Sequence, residues 1–338
     1  MTHEPTALYR HRLHRFPCCD AARRQRHRGG PRPTASTRCP PHDAFTRLLH
    51  RLEPDPAALW REVAPLVERE RGVLVVDDTT LDKPYARKMD LVHRHWSGQH
   101  HAVVDGINLI TLLWTEGESL IPCDWRVFDK PNDGMTKNEH FLAMLLTAKQ
   151  RGFAPECVLF DSWYASIDGC PLGGMRLIRD CGWRWLTRLK ANRLVNPDRM
   201  GNRAVADCAI AESGTVVWLK DYGLIRVFRC VAMDGETEHW ATDDLGMGEL
   251  ERLKYAEFSW GIEVYHRELK QECGVERAMV RAGRAQRNHI GCAIRAFVRL
   301  EWHRLRTGVN WGRAKEAIIR PAVRRYLAHP WYRLPATA

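Results

Sequence analysis

The segment VLVVDDTT, residues 73–80, places two carboxylates at the end of a short apolar run. Four apolar residues in a row favour a buried strand, and an acid that follows such a strand lies at the edge of an α/β sheet, where ligands bind. The segment CVLF, residues 157–160, repeats the pattern and is followed by Asp161. The two segments therefore predict buried strands that bring carboxylates to the edge of a sheet.

The segments around these two strands alternate between strand and helix patterns. Further strands are predicted at 101–114, 120–128 and 183–192. Thr136 and Glu139 have the spacing of a capping box, which predicts the start of a helix that ends at Gly152. A second helix is expected near 172–181. The order of these elements predicts an α/β fold.

Three other regions have a different character. Residues 1–40 are rich in Arg, His and Pro and are predicted to be a disordered or degenerate N-terminus. Residues 41–70 form a predicted helical module that either contacts DNA or caps the core. The main domain is expected at 71–305, with a β-rich insertion at about 194–240, and a helical tail is expected at 306–338.

The charge of the chain indicates the class of its partner. Lys and Arg number 52 against 41 Asp and Glu, so the formal net charge is +11. Nucleic acid is the favoured partner for such a basic chain, and an anionic membrane is the rival. No apolar run is long enough to span a bilayer, no secretory signal is visible at the start, and the cysteines are scattered, which indicates a reducing cytoplasm. The basic stretch around His93, His95, His100 and His101 is interpreted as a DNA-phosphate contact.

A predicted helix near residue 263 has two distinct faces. One face is an apolar stripe with spacings of four, three and four, made of Phe258, Ile262, Tyr265 and Leu269. The other face presents Glu263, Arg267 and Lys270. The acid suits a metal ion and the bases suit a DNA phosphate. A solvated face with ordinary charge pairs is the alternative interpretation.

The acids that end the two strands, together with Glu263, suggest a metal site. Carboxylates gathered at one place repel each other unless a cation lies between them. Mg²⁺ suits this position because it prefers oxygen ligands and keeps water and phosphate oxygens in its shell. Two such ions can activate an attacking oxygen and stabilise a leaving one. Asp77, Asp161 and Glu263 are therefore the candidate ligands of two Mg²⁺ ions, for which Mn²⁺ can substitute.

Three segments together resemble the DDE-type insertion-sequence transposases: VVDDTTLDK (75–83), LFDSWYAS (159–166) and WGIEVYHRELKQECGVER (260–277). The branch concerned has the motif Tyr-x2-Arg-x3-Glu-x6-Lys, and the resemblance covers about residues 42–328. It implies a ribonuclease-H-like mixed sheet flanked by helices, with a small β-rich insertion before the catalytic Glu helix. It also implies DNA strand cleavage at terminal inverted repeats, transfer of the strand to target DNA, a homodimer without a membrane partner, and a bacterial cytoplasm with attachment to the nucleoid.

The resemblance assigns catalytic and metal-binding roles to Asp77, Asp161 and Glu263. Asp78 stays open as the first acid, because Asp77-Asp78-Thr79 and Asp78-Thr79-Thr80 both fit the Asp-x-Thr pattern, although Asp77 follows the apolar run directly. The predicted DNA contacts are Lys270, Arg267, Lys83 and Trp163, the last by stacking on an unpaired base.

The sequence departs from the motif before Glu263. Ser259 stands where the branch has Arg, and Ala256 stands where it has Tyr, with Tyr255 one position away. Two other functions therefore remain open. One is an inactive DNA-binding remnant of a transposase, and the other is a different ribonuclease-H-like, metal-dependent nuclease.

Overall fold

The computed structural model describes residues 43–97, 101–165, 173–231 and 235–328. The predictions for residues 1–40 and His100 lie outside these ranges. In chain order the helices are α1 Ala44–Arg51, α2 Pro56–Val63, α3 Lys130–Asp133, α4 Lys137–Gln150, α5 Gly174–Asp180, α6 Glu249–Gln271, α7 Gly283–Thr307 and α8 Trp311–Ala328. The strands are β1 Val73–Asp82, β2 His93–Ser97, β3 Ala102–Thr115, β4 Ile121–Val127, β5 Cys157–Phe160, β6 Trp185–Leu189, β7 Leu194–Asn196, β8 Arg203–Ala204, β9 Thr215–Leu219, β10 Gly223–Val231 and β11 Thr237–Thr242.

Five strands form the centre of a mixed sheet. Strand β3 pairs antiparallel with both β1 and β4, whereas β1 pairs parallel with β5, and β5 pairs parallel with β6. The central order is therefore β4-β3-β1-β5-β6. The apolar runs VLVV and CVLF are buried in adjacent strands of this sheet, as their composition predicts. The arrangement confirms the predicted mixed α/β sheet flanked by helices.

The β-rich stretch after β6 extends the same sheet. Strand β11 pairs antiparallel with β6, and β10, β9, β7 and β8 follow it outward. The strands expected between 194 and 240 are present, but they continue the main sheet because β6 offers a free edge to β11. Strand β2 was not predicted, since HRHWS lacks an apolar alternation and forms only by pairing with the edge of β3.

Helices α4 and α6 pack on the central strands. The predicted capping box is present at the start of α4, where Thr136 Oγ1 accepts from the backbone N–H of Glu139 at 3.2 Å. Gly152 follows this helix with a φ of +78°, a backbone conformation that glycine adopts without strain. The apolar stripe of α6 is confirmed in its main part, because Ile262, Tyr265 and Leu269 are buried.

The two N-terminal helices pack against the rest of the molecule. The side-chain amide of Asn288 on α7 donates to the carbonyl oxygens of Leu49 and Leu52 at 2.8 and 2.7 Å. Leu59 and Val63 of α2 are buried in the main core. These contacts favour the core-capping interpretation of the helical module. Within the described ranges, no helix is both long enough and apolar enough to cross a membrane.

Candidate metal centre

The strand register places the first two candidate acids on neighbouring strands. Val76 on β1 is the parallel partner of Phe160 on β5, and Asp77 and Asp161 each follow one residue later. Strand β5 ends at Phe160, whereas β1 continues to Asp82. The two acids therefore stand next to each other where the shorter strand ends.

Helix α6 brings a third acid to the same place. One ligand atom from each of Asp77, Glu263 and His266 lies within 4.8 Å of the other two. Among the described residues this is the one group of three or more His, Cys, Asp or Glu side chains with spacing suited to a metal ion. Asp77 is half-buried, Glu263 is exposed and His266 is buried, so the cluster opens to solvent on the Glu263 side.

Several negatively charged side chains surround the Asp77 carboxyl group. Burial raises the pKa of the Asp77 carboxyl well above its ordinary value, and the negative charges of Asp78, Glu263 and Asp161 raise it further. A bound cation would relieve this repulsion and favour the ionised form. The donor set, two carboxylates and an imidazole, is chemically suited to a divalent metal ion.

Asp78 has different surroundings from those of Asp77. Consecutive side chains of a strand point to opposite faces, and Asp78 meets the start of α4. Its Oδ2 accepts from Lys137 Nζ at 2.8 Å and from Asn108 Nδ2 at 2.6 Å, and its Oδ1 accepts from the Tyr164 hydroxyl at 2.8 Å. Burial acts to raise the pKa of Asp78, but the Lys137 ammonium and these hydrogen bonds leave it below the ordinary value. Both oxygens of Asp78 are thus already used within the fold.

Asp161 lies beside the cluster and is partly exposed. Its Oδ1 is 3.7 Å from a guanidinium nitrogen of Arg188, which comes from the next strand, β6. Its Oδ2 accepts from the backbone N–H of Trp163 at 3.3 Å, which closes the turn after β5. The negative charge of Asp161 also raises the pKa of Asp77, although less than the charges of Asp78 and Glu263 do. The structure therefore places Asp161 beside Asp77 where β5 ends, but outside the closely spaced group that Asp77 forms with Glu263 and His266.

His266 was not predicted as a site residue. It is 4% exposed, and its Nε2 has no hydrogen-bond partner among the described residues. Burial lowers the pKa of His266 to about 3, so the ring is neutral at pH 7. The sequence signal that could have identified it is the Glu263-x2-His266 spacing, because residues three apart share one face of a helix.

Lys270 and Lys83, two of the predicted DNA-binding residues, bond to backbone carbonyl oxygens of the protein. Lys270 Nζ donates to the carbonyl oxygen of Thr80 on β1 at 2.8 Å and lies 3.5 Å from the Glu276 carboxylate. Lys83 is 6% exposed, and its Nζ donates to the backbone carbonyls of Glu276 and Ala278. Lys83 cannot contact a DNA phosphate directly, because its ammonium group is buried and bonded to the backbone.

The other two predicted DNA-binding residues are open to solvent. The Arg267 side chain is 52% exposed and lies 3.2 Å from Glu268. Trp163 is 55% exposed, and the Nζ atoms of Lys137 and Lys190 lie 5.8 and 5.3 Å from the centre of its ring. Trp163 and Lys190 are exposed and form an aromatic and cationic surface close to Asp161, whereas Lys137 is mostly buried in its pair with Asp78. Lys137, Arg188 and Lys190 were not singled out from the sequence.

The predicted contact with DNA phosphate is wrong for His95, and the ring of His93 already has a partner within the protein. His95 is 8% exposed, and burial lowers its pKa to about 4. His93 Nε2 lies 3.2 Å from Asp129 Oδ1 in a partly buried pair. The alternation of β2 turns His95 into the core, so it cannot reach a phosphate. His101 is exposed and stays a prediction.

Ser259 and Tyr255, at and beside the positions where the sequence departs from the transposase motif, both make contacts within the protein. Ser259 Oγ donates to the carbonyl oxygen of Ala256 at 2.6 Å, within its own helix. Tyr255 is buried, with its hydroxyl 3.3 Å from Glu251 and 3.4 Å from Glu156. Neither side chain reaches the acidic cluster, so the motif positions before Glu263 do not supply a cation here.

A comparison with known families is consistent with the fold and with the two acids that follow β-strand segments. The family described as DDE superfamily endonuclease matches residues 41–204. This match supports the DDE-type resemblance in the part of the chain that it covers. It includes Asp77, Asp78 and Asp161 and ends before the helix of Glu263.

One solved structure is similar over much of the chain. It is the cryo-EM structure of the piggyBac transposase synaptic complex with hairpin DNA, at 9% sequence identity and a TM-score of 0.45. The similarity covers 78% of this chain and 55% of that one, so the chain spans about half of the piggyBac protein. No curated protein matches the chain.

Proposed function

We propose that the chain is a transposase that cuts DNA at the ends of an insertion element and joins those ends to target DNA. The observation that supports this proposal is the group of Asp77, Glu263 and His266, whose spacing suits a metal ion, with Asp161 following the neighbouring parallel strand. The match of residues 41–204 to DDE superfamily endonucleases supports the same class of reaction.

The proposed catalytic residues are the three acids, with Asp77 rather than Asp78 as the first. Asp78 has both oxygens bonded to Lys137, Asn108 and Tyr164, whereas Asp77 faces Glu263. The three carboxylates would hold two divalent ions, Mg²⁺ or in its place Mn²⁺. Such ions make an attacking oxygen more nucleophilic and stabilise the leaving oxygen in phosphodiester cleavage and strand transfer.

The surrounding side chains would position the acids and the DNA. Lys137 fixes Asp78 within β1, and Lys270 ties α6 to the Thr80 carbonyl oxygen. The contact of Lys270 would hold the helix of Glu263 against the strand of Asp77. Arg267 and Lys270 are proposed to contact the phosphates of the cut strand. Lys270 would use the part of its ammonium group that remains accessible. Trp163 is proposed to stack on an unpaired base near the cut.

The partners follow from the charge and from the reaction. A net charge of +11 favours binding to DNA phosphates, with a strong dependence on salt. Two element ends must be joined in one event, so two protomers are proposed in the active complex. The DNA substrates are the terminal inverted repeats and a target duplex, and the proposed setting is a bacterial cytoplasm at the nucleoid.

A cleavage and joining assay tests the proposal. The DNA carries the sequence that flanks the gene, with its inverted repeats, and a matched duplex carries the same repeats in scrambled order. With Mg²⁺ or Mn²⁺, the protein is expected to nick only the first duplex, at the element boundary. The freed 3′ hydroxyl is expected to join to a target plasmid in the same reaction.

The other outcomes separate the rival functions. Cutting of both duplexes without joining indicates a ribonuclease-H-like nuclease that does not recognise element ends. Binding of the repeats without any cutting, by a folded protein with either metal, indicates an inactive remnant. Each of these results contradicts the proposed transposase.

A further inference from the structure

His266 is the one buried member of the group formed with Asp77 and Glu263. A ring nitrogen of His266 lies within 4.8 Å of a carboxylate oxygen of each acid. Its Nε2 is buried without a hydrogen-bond partner among the described residues. A buried polar atom without a partner costs free energy, so it needs an explanation.

The position of His266 on α6 suits a ligand. Glu263 and His266 are three residues apart on one helix, so their side chains project from the same face. A Glu-x-x-His pair on a single helix is a recurring way to present two ligands to a carboxylate-bound metal ion. The apolar neighbours Tyr265 and Leu269 are packed into the core and fix the rotation of this part of the helix.

A purely positioning role fits the contacts less well. A histidine that oriented a carboxylate would donate a hydrogen bond to it, yet neither Asp77 nor Glu263 receives one from Nε2. The centre of the Tyr265 ring lies 5.4 Å from the centre of the His266 imidazole. This packing fixes the orientation of the imidazole but gives its Nε2 no hydrogen-bond partner.

We propose that His266 is a third ligand to one divalent ion held by Asp77 and Glu263, and that it moves the metal preference of this site away from Mg²⁺. The inference rests on the proposed function, because it requires a metal at these two acids. Imidazole is a ligand for transition metals such as Co²⁺ and Zn²⁺, whereas Mg²⁺ prefers oxygen ligands and water. Co²⁺, Zn²⁺ and, to a smaller extent, Mn²⁺ should therefore gain affinity from His266.

The direct test is pulsed electron paramagnetic resonance on the full chain with Mn²⁺ and without DNA. The wild-type protein is expected to show coupling of the bound Mn²⁺ to a directly coordinated ¹⁴N nucleus. The signal should disappear in a variant with both Asp77→Asn and Glu263→Gln. If Mn²⁺ binds in a manner that depends on these acids but shows no nitrogen coupling, the proposal is wrong.

A second test measures metal preference by calorimetric titration. His266→Phe keeps a ring of similar size and removes the ligand. Its Co²⁺ affinity is expected to fall about tenfold or more, while its Mg²⁺ affinity changes by less than about threefold. His303→Phe, a change at an exposed histidine on α7, is the matched control and should leave both affinities unchanged. Equal loss for Co²⁺ and Mg²⁺, or no loss, contradicts the proposal.

These tests separate the inference from the proposed function. Both tests measure metal binding without DNA, and the resonance experiment needs no change at His266. Metal binding that depends on Asp77 and Glu263, but not on His266, leaves the proposed transposase intact and overturns only the third ligand. Absence of any metal binding that depends on Asp77 contradicts the ligand set and the proposed metal site together.

Discussion

The ammonium group of Lys137 lies 2.8 Å from Oδ2 of Asp78, and this pair distinguishes the two adjacent aspartates of β1. The side chains of the pair are only 18% and 17% exposed, so each depends on the other for compensation of its charge. Among the described residues Asp77 has no such pairing, and it lies close to Glu263 and His266. The pair therefore leaves Asp77 as the aspartate of β1 that faces the proposed metal.

Removal of Lys137 should destabilise the fold through the charge left on Asp78. Lys137→Met is expected to lower the free energy of unfolding by about 3 kcal/mol, because breaking a largely buried ion pair leaves one charge without its partner. Addition of Asp78→Asn to this variant should recover most of the loss. Urea denaturation of the two single variants and the double variant measures the coupling. Losses that simply add would contradict the role of the pair.

Asp77→Asn should have the opposite effect in the absence of metal. The Asp77 carboxylate is opposed by burial and by three neighbouring acids, so its neutral replacement is expected to stabilise the protein by about 1 kcal/mol in a chelating buffer. Wild-type protein should gain stability when Mn²⁺ is added, and the variant should not. Thermal melts with and without Mn²⁺ provide the measurement. Asp207→Asn, at an exposed acid, is the control and should follow the wild type in both buffers.

Arg267 and Lys270 should differ in what their removal changes. Arg267→Ala is expected to leave the free energy of unfolding within about 0.5 kcal/mol of the wild type, since the side chain is exposed. It should weaken DNA binding and reduce the dependence of the binding constant on salt by about one ion.

Lys270→Met should lower stability as well, by about 1–2 kcal/mol, because the Thr80 carbonyl oxygen and the Glu276 carboxylate each lose a partner. Denaturation together with DNA-binding titrations at several salt concentrations tests both expectations. If Lys270→Met retains full stability, its contact with Thr80 does not hold α6 to β1.

Burial of His95 should make stability depend on pH. Its pKa is lowered from 6.5 in the unfolded chain to about 4 in the fold, so the unfolded state takes up a proton first as the pH falls. The contribution of His95 is fully present above about pH 6.5 and is lost progressively down to about pH 4.

His95→Phe should therefore lose less stability on acidification than the wild type. Between pH 7 and pH 5 the difference is expected to be about 2 kcal/mol. Urea denaturation at the two pH values gives the comparison, which cancels the effects of other titrating groups. His303→Phe should behave as the wild type, and a wild-type pH dependence in His95→Phe would show that His95 is not the group concerned.

Local patterns in the sequence predicted the centre of the fold well. The apolar runs before Asp77 and Asp161, the capping box at Thr136 and the apolar stripe of α6 depend on residues that are close in the chain. Pairing between distant segments was harder to foresee. Strand β2 and the continuation of the sheet beyond β6 exist because free strand edges accept them.

The sequence identified the acids of the candidate site but not the side chains that surround them. A carboxylate after a buried strand has a recognisable local signal, whereas the partners of Lys83 and Lys270 lie almost two hundred residues away in the chain. Lysines that bond to buried carbonyl oxygens have the same sequence appearance as lysines that bind DNA. The roles of Lys137, Arg188 and His266 depend on three-dimensional contacts of the same kind.

The most direct measurement is the rate at which Glu263→Gln cuts a labelled duplex that carries the element end, under single-turnover conditions with Mn²⁺. The account predicts that this variant folds and binds the duplex as tightly as the wild type, but cuts at least about a thousandfold more slowly. Glu257→Gln, the same change at an exposed position on the same helix, should cut at the wild-type rate. Cutting by Glu263→Gln at the wild-type rate would contradict the assignment of the acidic cluster as the catalytic centre.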